Sequence, residues 1–182
     1  LIKKSNPSLA RLPPPLMTAP LMDNKTKARL FANAALKATA EITATVDQTH
    51  YLLKVTRAEN GDCVILFNGC DGEWISVIKD VSKKNCTFKV DKKLRDQLAE
   101  PDLWLAFSPL KQFNTDFIIE KASELGVSRL IPVFTEHTNI TRLKTERLRL
   151  IAMEAAEQCD RLSVAQVSES VTFTELIDKW PE

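Results

Sequence analysis

The side chains with the types and spacing to do chemistry are mostly cations in the second half of the chain. Lys111 follows the apolar run Leu103-Trp104-Leu105-Ala106-Phe107, after Pro109 and Leu110. Open α/β sheets bind ligands at their strand ends. A cation there suits a phosphate or a developing anion, and a solvated loop lysine is the plain alternative. Lys121 and Glu124 are spaced as neighbours on one helix face, where an exposed ion pair contributes roughly a few tenths of a kcal/mol. Arg161 follows Glu154 and Gln158 at helical spacing. Its guanidinium fork suits phosphate, and a bridge to Glu157 one turn earlier is the alternative. Arg142, Lys144, Arg147 and Arg149 form a basic cluster relieved only by Glu146. Cations at a helix start oppose the dipole; a nearby polyanion would offset that, and a solvated face is the other reading.

Other chemistries find no support. The four glycines are 61, 69, 72 and 126, and no GxGxxG or Walker sequence occurs, so a nucleotide-cradling loop of the usual kind is not expected. Cysteines 63, 70, 86 and 159 have no CxxC spacing, and the histidines are His50 and His137 alone. A metal site is therefore not expected, and free thiols in a reducing compartment are. No run of about 18 apolar residues suggests a membrane span. The net charge of +1 argues against an indiscriminate polyanion binder. Residues 1–29 hold six cations against Asp23, which leaves the remainder acidic by four.

The elements that must position these residues follow from periodicity. Residues 1–28 hold five of the nine prolines and read as a disordered or loosely docked basic extension. From residue 29 to 92 short β segments dominate. Ile42, Ala44 and Val46 alternate with polar neighbours, and Cys86–Val90 is a further strand. Val64–Phe67 and Glu73–Ile78 flank Asn68-Gly69-Cys70-Asp71-Gly72, a hairpin turn. Several short strands at this spacing suggest a small barrel. Residues 91–101 read as a polar linker. Leu103–Phe107 and Arg129–Phe134 are apolar strands joined by a helix, most simply as parallel neighbours. In that helix Phe117, Ile118, Ala122 and Leu125 form the expected stripe. Asn114 or Thr115 is the expected cap, Asp116 lies in the first turn, and Gly126 ends the helix. A longer helix is expected over 142–162, with Leu148, Ile151, Ala152, Ala155, Ala156 and Cys159 apolar. A short one is expected over 174–180.

Three blocks carry a resemblance. Lys111, Asp116 and Glu120-Lys121-Ala122-Ser123-Glu124-Leu125-Gly126-Val127 form the first. Glu154-Ala155-Ala156-Glu157-Gln158-Cys159-Asp160-Arg161 is the second. Arg29-Leu30-Phe31 with His50-Tyr51-Leu52 through Arg57 is the third. In this order they resemble the ribosomal RNA small subunit methyltransferase E family.

That resemblance implies a two-domain α+β fold. A PUA-like, RNA-contacting β-barrel over 29–92 is followed, over 102–182, by the first part of a SPOUT-type α/β methyltransferase domain. It implies methylation of N3 of a uridine in 16S rRNA of the small ribosomal subunit, with S-adenosylmethionine as donor. A homodimer joined through a C-terminal knot, no membrane and a cytoplasmic location go with it. On this reading Lys111 and Arg161 are the catalytic candidates, favouring the uracil anion that forms as N3 loses its proton. Arg29, His50, Tyr51, Arg57, Lys121, Arg142 and Arg147 are the RNA-binding candidates. The family's Gly-Pro-Glu-Gly-Gly loop, which holds the donor, does not occur in these residues, so the donor site is expected C-terminal to them. Other departures are Tyr51 in place of a second histidine, Thr56 before Arg57, and Gln112, Asn114 and His137 where the family usually has cations. They imply fewer phosphate contacts. A non-catalytic RNA-binding module is the alternative.

Overall fold

Strand β1 (Ile2–Lys4) and strand β2 (Thr26–Phe31) open two different units of the chain. One unit comprises residues 1–6 and 99–182, and the other, nested within it in sequence, comprises 7–98. The computed structural model describes residues 2–4, 26–82, 85–140, 142–178 and 180. The expected disordered extension over 1–28 lies mostly outside them, but residues 2–4 and 26–28 are strand.

In the nested unit β2 is followed by β3 (Glu41–Thr43), α1 (Val46–Lys54), β4 (Cys63–Phe67), β5 (Glu73–Val81) and β6 (Cys86–Arg95). The sheet order is β2-β4-β5-β6-β3, with β2 and β4 parallel and the other pairs antiparallel. No pairing joins β2 to β3 among the described residues, so the expected barrel is an open five-stranded sheet. Leu30, Val64, Leu66, Ile78, Phe88 and Val90 form its core, which Leu52 of α1 completes. Each such side chain contributes about 1.5–3 kcal/mol on burial.

Two sequence expectations change here. The strand through Ile42 stops at Thr43, because Thr45 and Gln48 form a reciprocal capping box that starts α1. The polar stretch from residue 91 is not linker until after Arg95, since β6 runs on beside β5 to the Glu73–Arg95 pair. The turn from Asn68 to Gly72 does connect antiparallel β4 and β5, with Gly69 and Gly72 at positive φ.

In the other unit, β7 (Leu103–Phe107), α2 (Gln112–Glu124), β8 (Arg129–Phe134) and α3 (Thr145–Gln158) are followed by β9 (Gln166–Val167), β10 (Val171–Thr172) and α4 (Phe173–Asp178). β7 and β8 are parallel neighbours, as the intervening helix requires. β1 adds antiparallel to the free edge of β7, and β9 and β10 both add parallel to β8. Alternation along β7 sends Leu103, Leu105 and Phe107 to a core with Ile119, Leu130, Leu148 and Ala152, and Trp104 and Ala106 to one with Ile131, Val133 and Leu176.

Helix α2 begins at Gln112, ahead of both expected caps, and its buried face is Thr115, Ile119, Ala122 and Ser123. Phe117 and Leu125, expected inside, are 53% and 81% exposed. Gly126 does follow the helix at φ +92. Helix α3 is shorter than expected and ends at Gln158, with Asp160 at φ +59 turning the chain.

Candidate functional site

The C-terminal end of β7 leads through Ser108, Pro109 and Leu110 to Lys111, the N-cap of α2, which supplies no side-chain cap. Thr115 holds this turn from within. Its hydroxyl accepts from the Leu110 backbone N–H at 2.9 Å and donates to the Leu110 carbonyl at 2.8 Å. Helix α3 also begins without a side-chain cap, at Lys144. Between the two helix starts lies a cleft of about 330 Å³. Leu110, Ile140, Leu143 and Leu148 give it apolar walls, and Gln112, Arg142, Lys144 and the Asp116–Arg147 pair give it polar ones. Both carboxylate oxygens of Asp116 accept from the Arg147 fork, at 2.5 and 2.7 Å. That contact, with Asp116 foremost, raises the Arg147 pKa above the usual guanidinium value.

Lys111, Arg142 and Lys144 are exposed, and none makes an ion pair with a described residue. Lys121 differs. Its ammonium donates to Glu120 at 2.8 Å and to Glu124 at 2.9 and 3.0 Å, which raises its pKa, the Glu120 bond first. The Lys121–Glu124 pair expected from spacing is present.

Arg161 stands elsewhere. It lies beyond α3 rather than on it, and its side chain is 9% exposed. One terminal nitrogen donates to the carbonyls of Ser123 and Val127 at 2.6 and 2.9 Å, and the other to Glu100. These contacts satisfy carbonyls at the C-terminal end of α2 and complement its dipole. Lys111 and Arg161, the two catalytic candidates that the resemblance implies, therefore stand at opposite ends of one helix, about 18 Å apart along its axis. They do not meet.

In the nested unit Arg29 is buried. Its guanidinium lies 3.9 Å over the Phe67 ring and donates to Glu73 at 2.7 Å. Arg95 donates to both oxygens of Glu73, each at 2.7 Å. Burial raises the Glu73 pKa, but the bonds from Arg95 and Arg29 outweigh it and hold the carboxyl below the usual glutamate range. The expected RNA contact at Arg29 is thus occupied inside the sheet. His50 and Tyr51 are exposed on α1, and Arg57 follows the helix, exposed, at φ +51. Sequence reasoning singles out Arg142 and Arg147 but not the cleft, whose Leu110, Ile140 and Leu143 come from loops with no periodicity to announce them.

Among the described residues no three His, Cys, Asp or Glu are placed to hold a metal ion, and no helix is long and apolar enough to cross a membrane. The one glycine after residue 98, Gly126, ends α2, so the described residues there do not build a glycine-bordered seat for S-adenosylmethionine.

Residues 98–182 match a family model described as an RNA methyltransferase domain, and residues 44–91 match one described as an RNA methyltransferase PUA domain. The chain thus resembles, in order, two domain types found in RNA methyltransferases. In particular it resembles the ribosomal RNA small subunit methyltransferase E family. It is 30% identical over 152 residues to that protein of Rickettsia conorii, covering 83% of this chain and 62% of the relative. To that of Synechocystis it is 27% identical over 175 residues, covering 92% and 57%. The chain therefore spans about six-tenths of the length of these relatives. The crystal structure of the Neisseria gonorrhoeae ribosomal RNA small subunit methyltransferase E bound to S-adenosyl methionine shares the fold, with TM-score 0.76 at 21% identity, covering 85% of this chain and 66% of that one.

Proposed function

We propose that the chain acts in the methylation of N3 of a uridine in 16S rRNA, with S-adenosylmethionine as methyl donor. The observation that carries this reading is the match of residues 44–91 and 98–182, in order, to an RNA methyltransferase PUA domain and an RNA methyltransferase domain. Uridine N3–H is a weak acid whose proton must leave as the methyl arrives, so a fixed positive charge beside the base favours the reaction. Lys111, exposed at the β7 end beside the cleft, suits that role, with Arg142, His50, Tyr51 and Arg57 as RNA contacts. Arg147 shapes the cleft wall. Arg161 acts by positioning α2. No step through the donor is assigned to these residues. A second reading, a non-catalytic RNA-binding module, is favoured by Gln112, Asn114 and His137, which stand where the family usually has cations. The family resemblance further supports a cytoplasmic homodimer.

The test is to delete the encoding gene in its own cell and map N3-methyluridine in 16S rRNA by mass spectrometry. Loss of the mark, restored by the wild-type gene and not by Lys111→Ala, is expected. An unchanged mark in the deletion strain would overturn the methyltransferase reading and leave the binding module, and a mark restored by Lys111→Ala would remove Lys111 from the site.

A further inference from the structure

We propose that the cleft between the first turns of α2 and α3 seats one nucleotide of a single RNA strand, its phosphate on Arg142 and Lys144 and its base against the apolar wall. The polymer's identity rests on the methyltransferase reading above; the place and the binding mode rest on the cleft.

Charge pairing singles the cleft out. Among the described cations of this unit, Arg147 is held by Asp116, Arg149 by Glu146 and Glu169, Lys121 by Glu120 and Glu124, and Arg161 by Glu100. Arg129 stacks 4.2 Å over the Trp104 ring. Arg142 and Lys144, on the cleft wall, have no carboxylate among the described residues, and neither does Lys111, which lies in sequence between the lining residues Leu110 and Gln112. The one carboxylate of the lining, Asp116, is neutralised by the Arg147 fork. Two positive charges of the lining, Arg142 and Lys144, therefore remain uncompensated.

The remaining lining matches the rest of a nucleotide. A volume of about 330 Å³ is at the small end of ligand sites. Leu110, Ile140 and Leu143 offer an apolar surface to the face of a base, and the Gln112 amide can both donate and accept at a base edge. The bidentate Asp116–Arg147 pair and the Thr115–Leu110 bonds fix the walls before any ligand arrives. Single-strand recognition likewise combines cations for the backbone with a surface for an unstacked base, here aliphatic rather than aromatic.

The test is fluorescence anisotropy of the whole chain with a labelled single-stranded oligouridylate over a range of salt. The double variant Arg142→Ala/Lys144→Ala changes exposed side chains and leaves the fold intact, as circular dichroism would check. It is expected to bind about tenfold more weakly near 0.1 M salt, with a log–log salt slope shallower by about 0.7 for each phosphate left without its cation. Uridine 5′-monophosphate is expected to displace the strand at lower concentration than inorganic phosphate does. Equal displacement by the two would overturn the base seat. Tight wild-type binding unchanged in the double variant would overturn the cleft and leave the methyltransferase reading standing. A wild-type chain that binds no oligouridylate would also overturn the cleft, and the gene deletion then decides the other reading by itself.

Discussion

Lys111 and Arg161 bracket helix α2. The lysine is its N-cap residue, and the arginine's guanidinium bonds the Ser123 and Val127 carbonyls at its far end. One is exposed and has no ion-pair partner among the described residues, whereas the other is nearly enclosed and bound to Glu100. The two should fail in different assays. Arg161→Ala leaves Glu100 and two carbonyls without their cation, and removing one partner of a buried pair costs roughly 3 kcal/mol. Urea denaturation should show that loss, while Lys111→Ala should leave the midpoint unchanged. An Arg161→Ala protein as stable as wild type would remove the arginine's structural role.

Glu73 makes the nested unit sensitive to acid. Its folded pKa lies below the ordinary value of 4.5, since Arg95 and Arg29 outweigh the burial that would raise it. The stability this gives is complete above 4.5 and drains as pH falls from there through the folded pKa. Thermal melts of wild type between about pH 6 and 3 should show a falling midpoint, and Glu73→Gln should lie lower at the upper end of that range with a flatter slope. Parallel slopes would assign the acid sensitivity to other carboxylates.

The glycines at 72 and 126 share positive φ but not surroundings. A Cβ on Gly72 would meet the Arg95 carbonyl oxygen at 2.2 Å, whereas one on Gly126 would meet nothing within 4 Å. Gly126→Ala should cost about 1–2 kcal/mol, the left-handed penalty alone. Gly72→Ala should cost clearly more, because the β6 backbone must move. Equal costs in denaturant titrations would contradict the close approach at Gly72.

Thiol reactivity should separate the cysteines. Burial, and secondarily the charge of Asp80, pushes the Cys86 pKa up to about 11, and its side chain sits in the sheet core. Cys70 is exposed in the β4–β5 turn. At about pH 8 in native buffer a disulfide reagent should modify Cys70 first and leave Cys86 untouched until the unit unfolds. Early labelling of Cys86, read by mass spectrometry, would place that strand outside the core.

Asp116 limits the positive charge of the cleft. Asp116→Ala frees the Arg147 fork and should tighten oligouridylate binding by about two- to fivefold at low salt, with a steeper salt slope. Weaker binding at every salt concentration would mean that the pair serves RNA chiefly by fixing the cleft wall.

How much of this is legible in the sequence depends on how local each cause is. Leu103–Phe107 and Arg129–Phe134 announce themselves because a doubly covered strand is apolar throughout, and parallel pairing follows from the helix between them. The stripe expected on α2 is misplaced because its inward face uses Thr115 and Ser123, which no hydropathy count selects. The capping box at Thr45 and Gln48 is readable in the residues, yet a short alternation through Val46 competes with it and suggests a strand. Arg161 looks helical because nothing in its neighbourhood marks Asp160 as the turn. The Arg29–Glu73–Arg95 cluster is created by strand register and the cleft by the packing of two helix starts, and both join residues well separated in sequence.

Strand β1 has a consequence in time. Its residues pair with Leu103–Leu105 of β7, so the whole nested unit lies, in sequence, between a strand and its partner. On a ribosome adding roughly 5–20 residues per second, β1 waits about 5–20 s for β7 to be made. The nested sheet holds all of its own strands and can close during that interval. Synthesis thus imposes an order, inner unit before outer, and leaves a short extended segment waiting for a partner that is made only after the nested sheet.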